Sequence, residues 1–376
     1  MLLIPEHNWQ SLYSLIFALT LAAFFAPAAE ASVTIDRASA VIFVYQRIGE
    51  DSVPQSNISV EQFEEHLREL EKGGYVVWPL ERVVDTLKSG EELPQKTVAL
   101  TFQGAWQSTL ANAVPRLVQA KMPFTIFFAS DMAEGDNPGH ANWNELRKLE
   151  KNKLADLGIM PSGYVHMVNL NREQNAALIN KAVGRYREEF KKEPIFFSYP
   201  YGEYSKEIHE QVAAYQFKAA FGQQSGVAHA KSDFAALPRF TMTDPYADLD
   251  RFLLTANALP LPVTDVIPAD NIVIENPPMI GFTLSSEIKN TSDLSCFVSG
   301  IGKTNVSVLE GNRVEIRLEG TLQDRRSRVN CTVPDSTIIP GEPRNWRWFG
   351  MLLITKSLID ESEELSASSP GSGNEE

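Results

Sequence analysis

Between Ala40 and about Phe221, short apolar runs alternate with amphipathic stretches, and this rhythm restricts the chain more than any other feature. Ala40–Tyr45, Tyr75–Trp78, Thr97–Phe102, Phe124–Ala129, Leu157–Met160, Ile195–Tyr199 and Ala219–Gly222 read as strands. Helices fall between them. Ser59 and Gln62 form a capping pair before Phe63, Leu67 and Leu70, and Asn175–Phe190 is a longer helix. Leu110–Ala120 also reads as helical, restarted at Pro115. The order predicts an α/β fold, a parallel sheet covered by helices and either open or closed into a barrel. Any catalytic groups then belong at the carboxyl ends of the strands.

The period changes after a proline-rich joint running from Leu259 to Pro278. Val314, Ile316 and Leu318 alternate with Glu315, Arg317 and Glu319, and Gly311-Asn312 reads as a hairpin turn. Some 80–90 residues of this kind predict a small all-β sandwich. Cys296 and Cys331, the only two cysteines, fall on inward positions of two of its strands and are expected to be disulfide-linked in an oxidising compartment.

The ends are unlike the middle. Ser11–Phe25 is apolar and is followed by Ala29-x-Ala31, so residues 1–31 read as a signal peptide. Met1–Gln10 lacks Lys and Arg, which leaves an uncleaved anchor as the alternative. The expected location is periplasmic or secreted, with no membrane span once the signal is cleaved. Residues 32–262 form the α/β domain, 263–358 the sandwich, and 359–376 an acidic disordered tail. The formal charge of −14 includes no basic run and no Arg/aromatic stripe, which argues against a nucleic-acid partner. No glycine-rich phosphate loop follows a strand, so a nucleotide enzyme has no support.

The strand ends carry the chemistry: Gln46-Arg47, then Gln103-Gly104-Ala105-Trp106, then Ser162-Gly163-Tyr164-Val165-His166, then Pro200-Tyr201-Gly202, and Arg239 within Leu237-Pro238-Arg239-Phe240. With Phe197-Ser198-Tyr199-Pro200-Tyr201-Gly202 and Thr101-Phe102, these strings make residues 38–245 resemble the NodB-homology polysaccharide deacetylases, carbohydrate esterase family four. The resemblance implies an irregular (β/α) barrel, a divalent metal such as zinc, and an N-acetylated polysaccharide as partner. Trp346-Arg347-Trp348-Phe349-Gly350 after a sandwich is similar to a secreted subgroup.

The departures fall on the reacting groups. The position of the family's catalytic base is Gln103, which cannot take a proton from water at neutral pH. Its metal-ligand positions are Gly104, Ser162 and His166, and only His166 can ligate. The opening histidine position is Gln46. His229 is a candidate for the family's late acid, and Tyr199, Pro200, Tyr201, Arg239 and Trp106 are candidates for glycan contact. Trp346 and Trp348 are further aromatic candidates. The reading favoured is a non-catalytic relative that keeps the groove, without a bound cofactor. An active metal-dependent deacetylase completed by Gln46 or Asp131 is the alternative, and a purely structural envelope protein is a third.

Overall fold

The computed structural model describes residues 34–135, 137–337 and 344–355. The expected signal peptide and acidic tail lie outside the described residues. Among the described residues no helix is long and apolar enough to cross a membrane.

The first layer is a curled parallel sheet of β1 (Ser39–Tyr45), β2 (Thr97–Gln103), β3 (Phe124–Phe128), β4 (Ala155–Ile159), β5 (Phe196–Ser198) and β6 (Ala219–Phe221), in that order. Helices α1 (Val60–Lys72), α2 (Leu80–Ser89), α3 (Trp143–Glu150), α4 (Arg172–Phe190), α5 (Lys206–Ala213) and α6 (Leu249–Ala256) accompany it. This is the expected NodB-type half-barrel. Its gap is bridged by residues 237–241, since Leu237 pairs with Phe221 and Phe240 with Phe43. The Ser59–Gln62 capping box starts α1, and Pro115 sits at the start of the short helix Val114–Gln119 after a π-helical turn.

The core of the first layer includes a buried histidine. His66 of α1 is fully buried and stacks on Phe252 with ring centres 4.1 Å apart. Its two nitrogens meet Tyr45 Oη at 3.1 Å and the Ala247 carbonyl at 2.9 Å. Burial pulls this imidazole down to about 4. The unfolded chain takes up a proton below about pH 6.5, whereas the folded chain refuses it until about pH 4. His66 therefore contributes fully above pH 6.5, and that contribution is lost as the pH falls toward 4. Urea unfolding at pH 7 and pH 5 should differ by about 2 kcal/mol more in the parent than in a His66→Asn variant. An unchanged pH difference in the variant would refute this.

The second layer is the sandwich. One sheet holds β7 (Leu259–Pro260), β10 (Ser295–Val298), β13 (Arg326–Pro334) and β14 (Trp346–Thr355). The other is β8 (Val263–Ile267), β9 (Ile280–Leu284), β12 (Arg313–Arg317) and β11 (Asn305–Val308). Gly311 and Asn312, with φ of 71° and 62°, turn β11 into β12 as the dipeptide predicts. The joint is not a free linker. Leu259–Pro260 pairs with β14 and Val263–Ile267 with β9, so the second layer begins a few residues before 263. Arg347 on β14 also grips both Asp36 carboxylate oxygens at 2.7 Å, and Trp348 packs edge-on to Phe240 at 5.3 Å.

Cys296 and Cys331 are bonded across directly paired residues of β10 and β13. The bridge closes a separation of 35 residues, which removes roughly 3–4 kcal/mol of unfolded-state freedom in the chain-entropy picture. Cys296→Ala/Cys331→Ala should lose that amount in urea unfolding. Two free thiols in unreduced, unfolded protein would contradict the bridge.

Candidate active-site groove

The residues at the family's site positions lie past the carboxyl ends of β1, β2, β4 and β5. Gln103 ends β2, and its fully buried amide is held on every side. Its Nε2 donates to the Tyr199 carbonyl at 3.1 Å, and its Oε1 accepts from Ser198 Oγ at 2.9 Å and Arg239 Nη2 at 2.8 Å.

Arg239 comes from the segment that bridges the sheet, and it too is fully buried. It also donates to the Gly222 carbonyl at 2.9 Å, Ser198 Oγ at 2.8 Å and Thr101 Oγ1 at 3.3 Å. Every acceptor is neutral. Burial pulls the guanidinium down to about 9, which leaves it charged at neutral pH. Arg239 is thus a strut inside the barrel and cannot touch a glycan. Tyr199 is equally enclosed, its hydroxyl on the Ala235 carbonyl at 2.8 Å, and burial raises that phenol. Pro200 is buried beside it.

Gly104 has φ of +111°, and Trp106, two residues on, folds back over it. The indole N–H donates to the Gln103 carbonyl at 3.1 Å. A Cβ on Gly104 would lie 2.7 Å from Trp106 Cε2 and 2.9 Å from Cδ1. The space an acidic ligand would occupy is therefore filled by the indole. Arg47 covers the same ring, its guanidinium carbon 3.4 Å from the ring centre, and His140 lies 3.9 Å away. Trp106 consequently offers a sugar less face than its sequence position suggested.

Ser162 is fully buried with no partner for its hydroxyl. His166 is part-exposed, stacks on Tyr201 at 4.0 Å, and sets Nδ1 2.7 Å from Glu203 Oε2. Glu203 is a fully buried carboxylate that also meets Arg325 and Arg326 of the sandwich, each at 3.5 Å. Tyr201 holds φ of +57°, a strained turn that sets its ring edge-on to Tyr164 at 4.9 Å. Burial pushes the Tyr164 phenol up to about 12, so it remains a hydroxyl donor at neutral pH.

Two candidates fall elsewhere. His229 pairs with Ser39 at the amino end of β1, about 20 Å along the strand from Tyr45 and the groove. It lines a separate cleft of about 640 Å³ between barrel and sandwich, with His209 and Asp233. Burial there pulls it down to about 4. Trp348 is buried between the layers. Asp131 is paired with Lys181 at 2.8 Å. Glu203, Arg325 and Arg326 also belong to this site, and the one sequence signal for them is Arg325-Arg326-x-Arg328 at the head of a strand.

A divalent metal does not fit these residues. Gly104 has no donor and Ser162 is enclosed, which leaves His166 as the one ligating side chain of the three positions. Among the described residues no three His, Cys, Asp or Glu side chains gather into a ligand set.

Residues 90–220 match the family described as polysaccharide deacetylase. No curated protein matches the chain. Among solved structures, the Streptococcus pyogenes deacetylase PplD in complex with acetate is similar at 16% identity, with a TM-score of 0.53 over 58% of this chain and 98% of that one. IcaB from Ammonifex degensii is similar at 20% identity and TM-score 0.52, over 60% and 98%. A de-N-acetylase from Aggregatibacter actinomycetemcomitans is similar at 14% and 0.51, over 58% and 99%. These likenesses cover the barrel and speak to its fold.

Proposed function

We infer, for a chain that carries a polysaccharide deacetylase domain, that the groove binds an acetylated glycan and that metal-dependent deacetylation has been lost. One observation carries this reading: Trp106 fills the space over Gly104 while Gln103 is locked by Arg239, Ser198 and Tyr199. A base must accept a proton, and a neutral amide, whose oxygen here already accepts from Ser198 and Arg239, does not at neutral pH. Tyr201, Tyr164 and His166 remain partly exposed around the mouth, and rings of this kind accept the apolar face of a pyranose. The Cys296–Cys331 bridge supports an oxidising location outside the cytoplasm.

A second reading, the active deacetylase, draws on His166. A histidine whose Nδ1 is held by a carboxylate and whose Nε2 stays unengaged is the arrangement of many metal ligands. One such histidine does not make a site.

Purified full-length protein should hold substoichiometric zinc, cobalt and nickel. It should release no acetate from N-acetylglucosamine oligomers and bind them in calorimetry. Stoichiometric metal with chelator-sensitive acetate release would overturn the reading in favour of the active enzyme. Failure to bind any acetylated glycan would favour the purely structural role.

A further inference from the structure

Resting on the glycan-binding reading, we propose that the ligand of this groove is an acidic glycan, its carboxylates met by arginines at both ends of a row of aromatic rings. The row is continuous. Ring centres of Trp106 and Tyr164 lie 6.2 Å apart, those of Tyr164 and Tyr201 4.9 Å, and Tyr201 stacks on His166. Arg47 lies on Trp106 at one end, and Arg326 lies 5.4 Å from the Tyr201 ring centre at the other.

Arg326 is exposed and belongs to the sandwich, not the barrel. It opens β13 with Arg325 before it, and Arg328 falls on the same face one pleat later. Burial first, then the charges of Arg326 and Arg251, pull the Arg328 guanidinium down. Nε of Arg325 and of Arg251 is buried without an acceptor.

The carboxylates facing this group are few. Glu203 is shared among Arg325, Arg326 and His166, and Glu50 stands 3.2 Å from Arg47. Asp248 caps α6 and acts on Arg251. Arg325 and Arg326 thus share the one carboxylate of Glu203, and Arg47 pairs with Glu50, in a chain whose formal charge is −14. A local excess of the opposite sign concentrates anions. Guanidinium forks pair with carboxylates through two parallel hydrogen bonds, and the tyrosine rings would carry the sugar between them. A free phosphate shares the oxyanion chemistry, and the test separates it.

The test is calorimetry on the full-length protein with four probes: N-acetylglucosamine tetramer, hyaluronan tetrasaccharide, tetragalacturonate and inorganic phosphate. The hyaluronan tetrasaccharide should bind about tenfold tighter than the neutral tetramer at low salt, and the contrast should shrink at about 0.5 M salt. Arg326→Gln should cut the contrast to less than about twofold, with Arg326→Lys retaining part of it and thermal unfolding confirming the fold of both. Equal, salt-insensitive binding of neutral and acidic oligomers overturns the acidic ligand and leaves the glycan reading intact. Binding of tetragalacturonate without either acetylated probe keeps the acidic ligand and overturns the acetylated-glycan reading. Phosphate binding as tightly as the oligomers overturns the proposal, because a free anion would then be the ligand. Binding of none of the four overturns both.

Discussion

Arg239→Ala is expected to cost about 5 kcal/mol of folding stability, the largest loss from any single truncation in the barrel. Three contributions add in the same direction. The guanidinium stem fills the interior between β2, β5 and the bridging segment 237–241, so truncation leaves a cavity. Gln103 Oε1 and the Gly222 carbonyl lose charge-assisted donors where no water reaches. The segment that pairs Leu237 with β6 and Phe240 with β1 loses its only inward anchor of this length. A buried cation without a counter-charge is itself costly, so removing cation and amide together should be far milder. Arg239→Met with Gln103→Met should recover at least about 2 kcal/mol of the loss in urea unfolding. A single-variant loss below about 1 kcal/mol would show that the interior hydrates and that the network contributes little.

The same residue illustrates what a sequence can and cannot disclose. The strand rhythm, the capping box at Ser59, the hairpin at Gly311-Asn312 and the Cys296–Cys331 pairing were legible because each depends on local periodicity or turn chemistry. Arg239 was read as a groove residue because its motif neighbours lie at strand ends. Its flanks Leu237 and Phe240, both buried, were the hint that the arginine points inward. His229 was misplaced for a topological reason. It follows a strand in the chain, but its own strand runs antiparallel to β1 and returns it to the amino end. The contacts that define the mouth are non-local. Glu203 meets His166 across 37 residues and Arg325 across 122, and no linear pattern announces either. The chain has no linear stripe of arginines and aromatics; folding assembles one from β1, the loops after β2, β4 and β5, and the sandwich.

Restoring the family's acids is expected to fail at Gly104 before it fails anywhere else. Gly104→Asp should destabilise the protein by about 4 kcal/mol, from two sources that can be separated. A side chain at φ of +111° is strained whatever surrounds it, and here the new Cβ also meets the indole of Trp106. Moving the indole breaks its hydrogen bond to the Gln103 carbonyl and its stack under Arg47. Gln103→Asp/Gly104→Asp/Ser162→His should therefore acquire no stoichiometric zinc, although His166 and the strand ends are in place. Trp106→Ala removes the steric part alone. In a double-mutant cycle, Gly104→Asp should cost at least about 1.5 kcal/mol less in the Trp106→Ala background, and zinc uptake should be recoverable only there. An additive cycle would mean that backbone strain, not the indole, closes the site. Zinc uptake by the variant that keeps Trp106 would mean that the ring leaves the groove readily, and a groove that opens so easily argues for retained metal-dependent deacetylation.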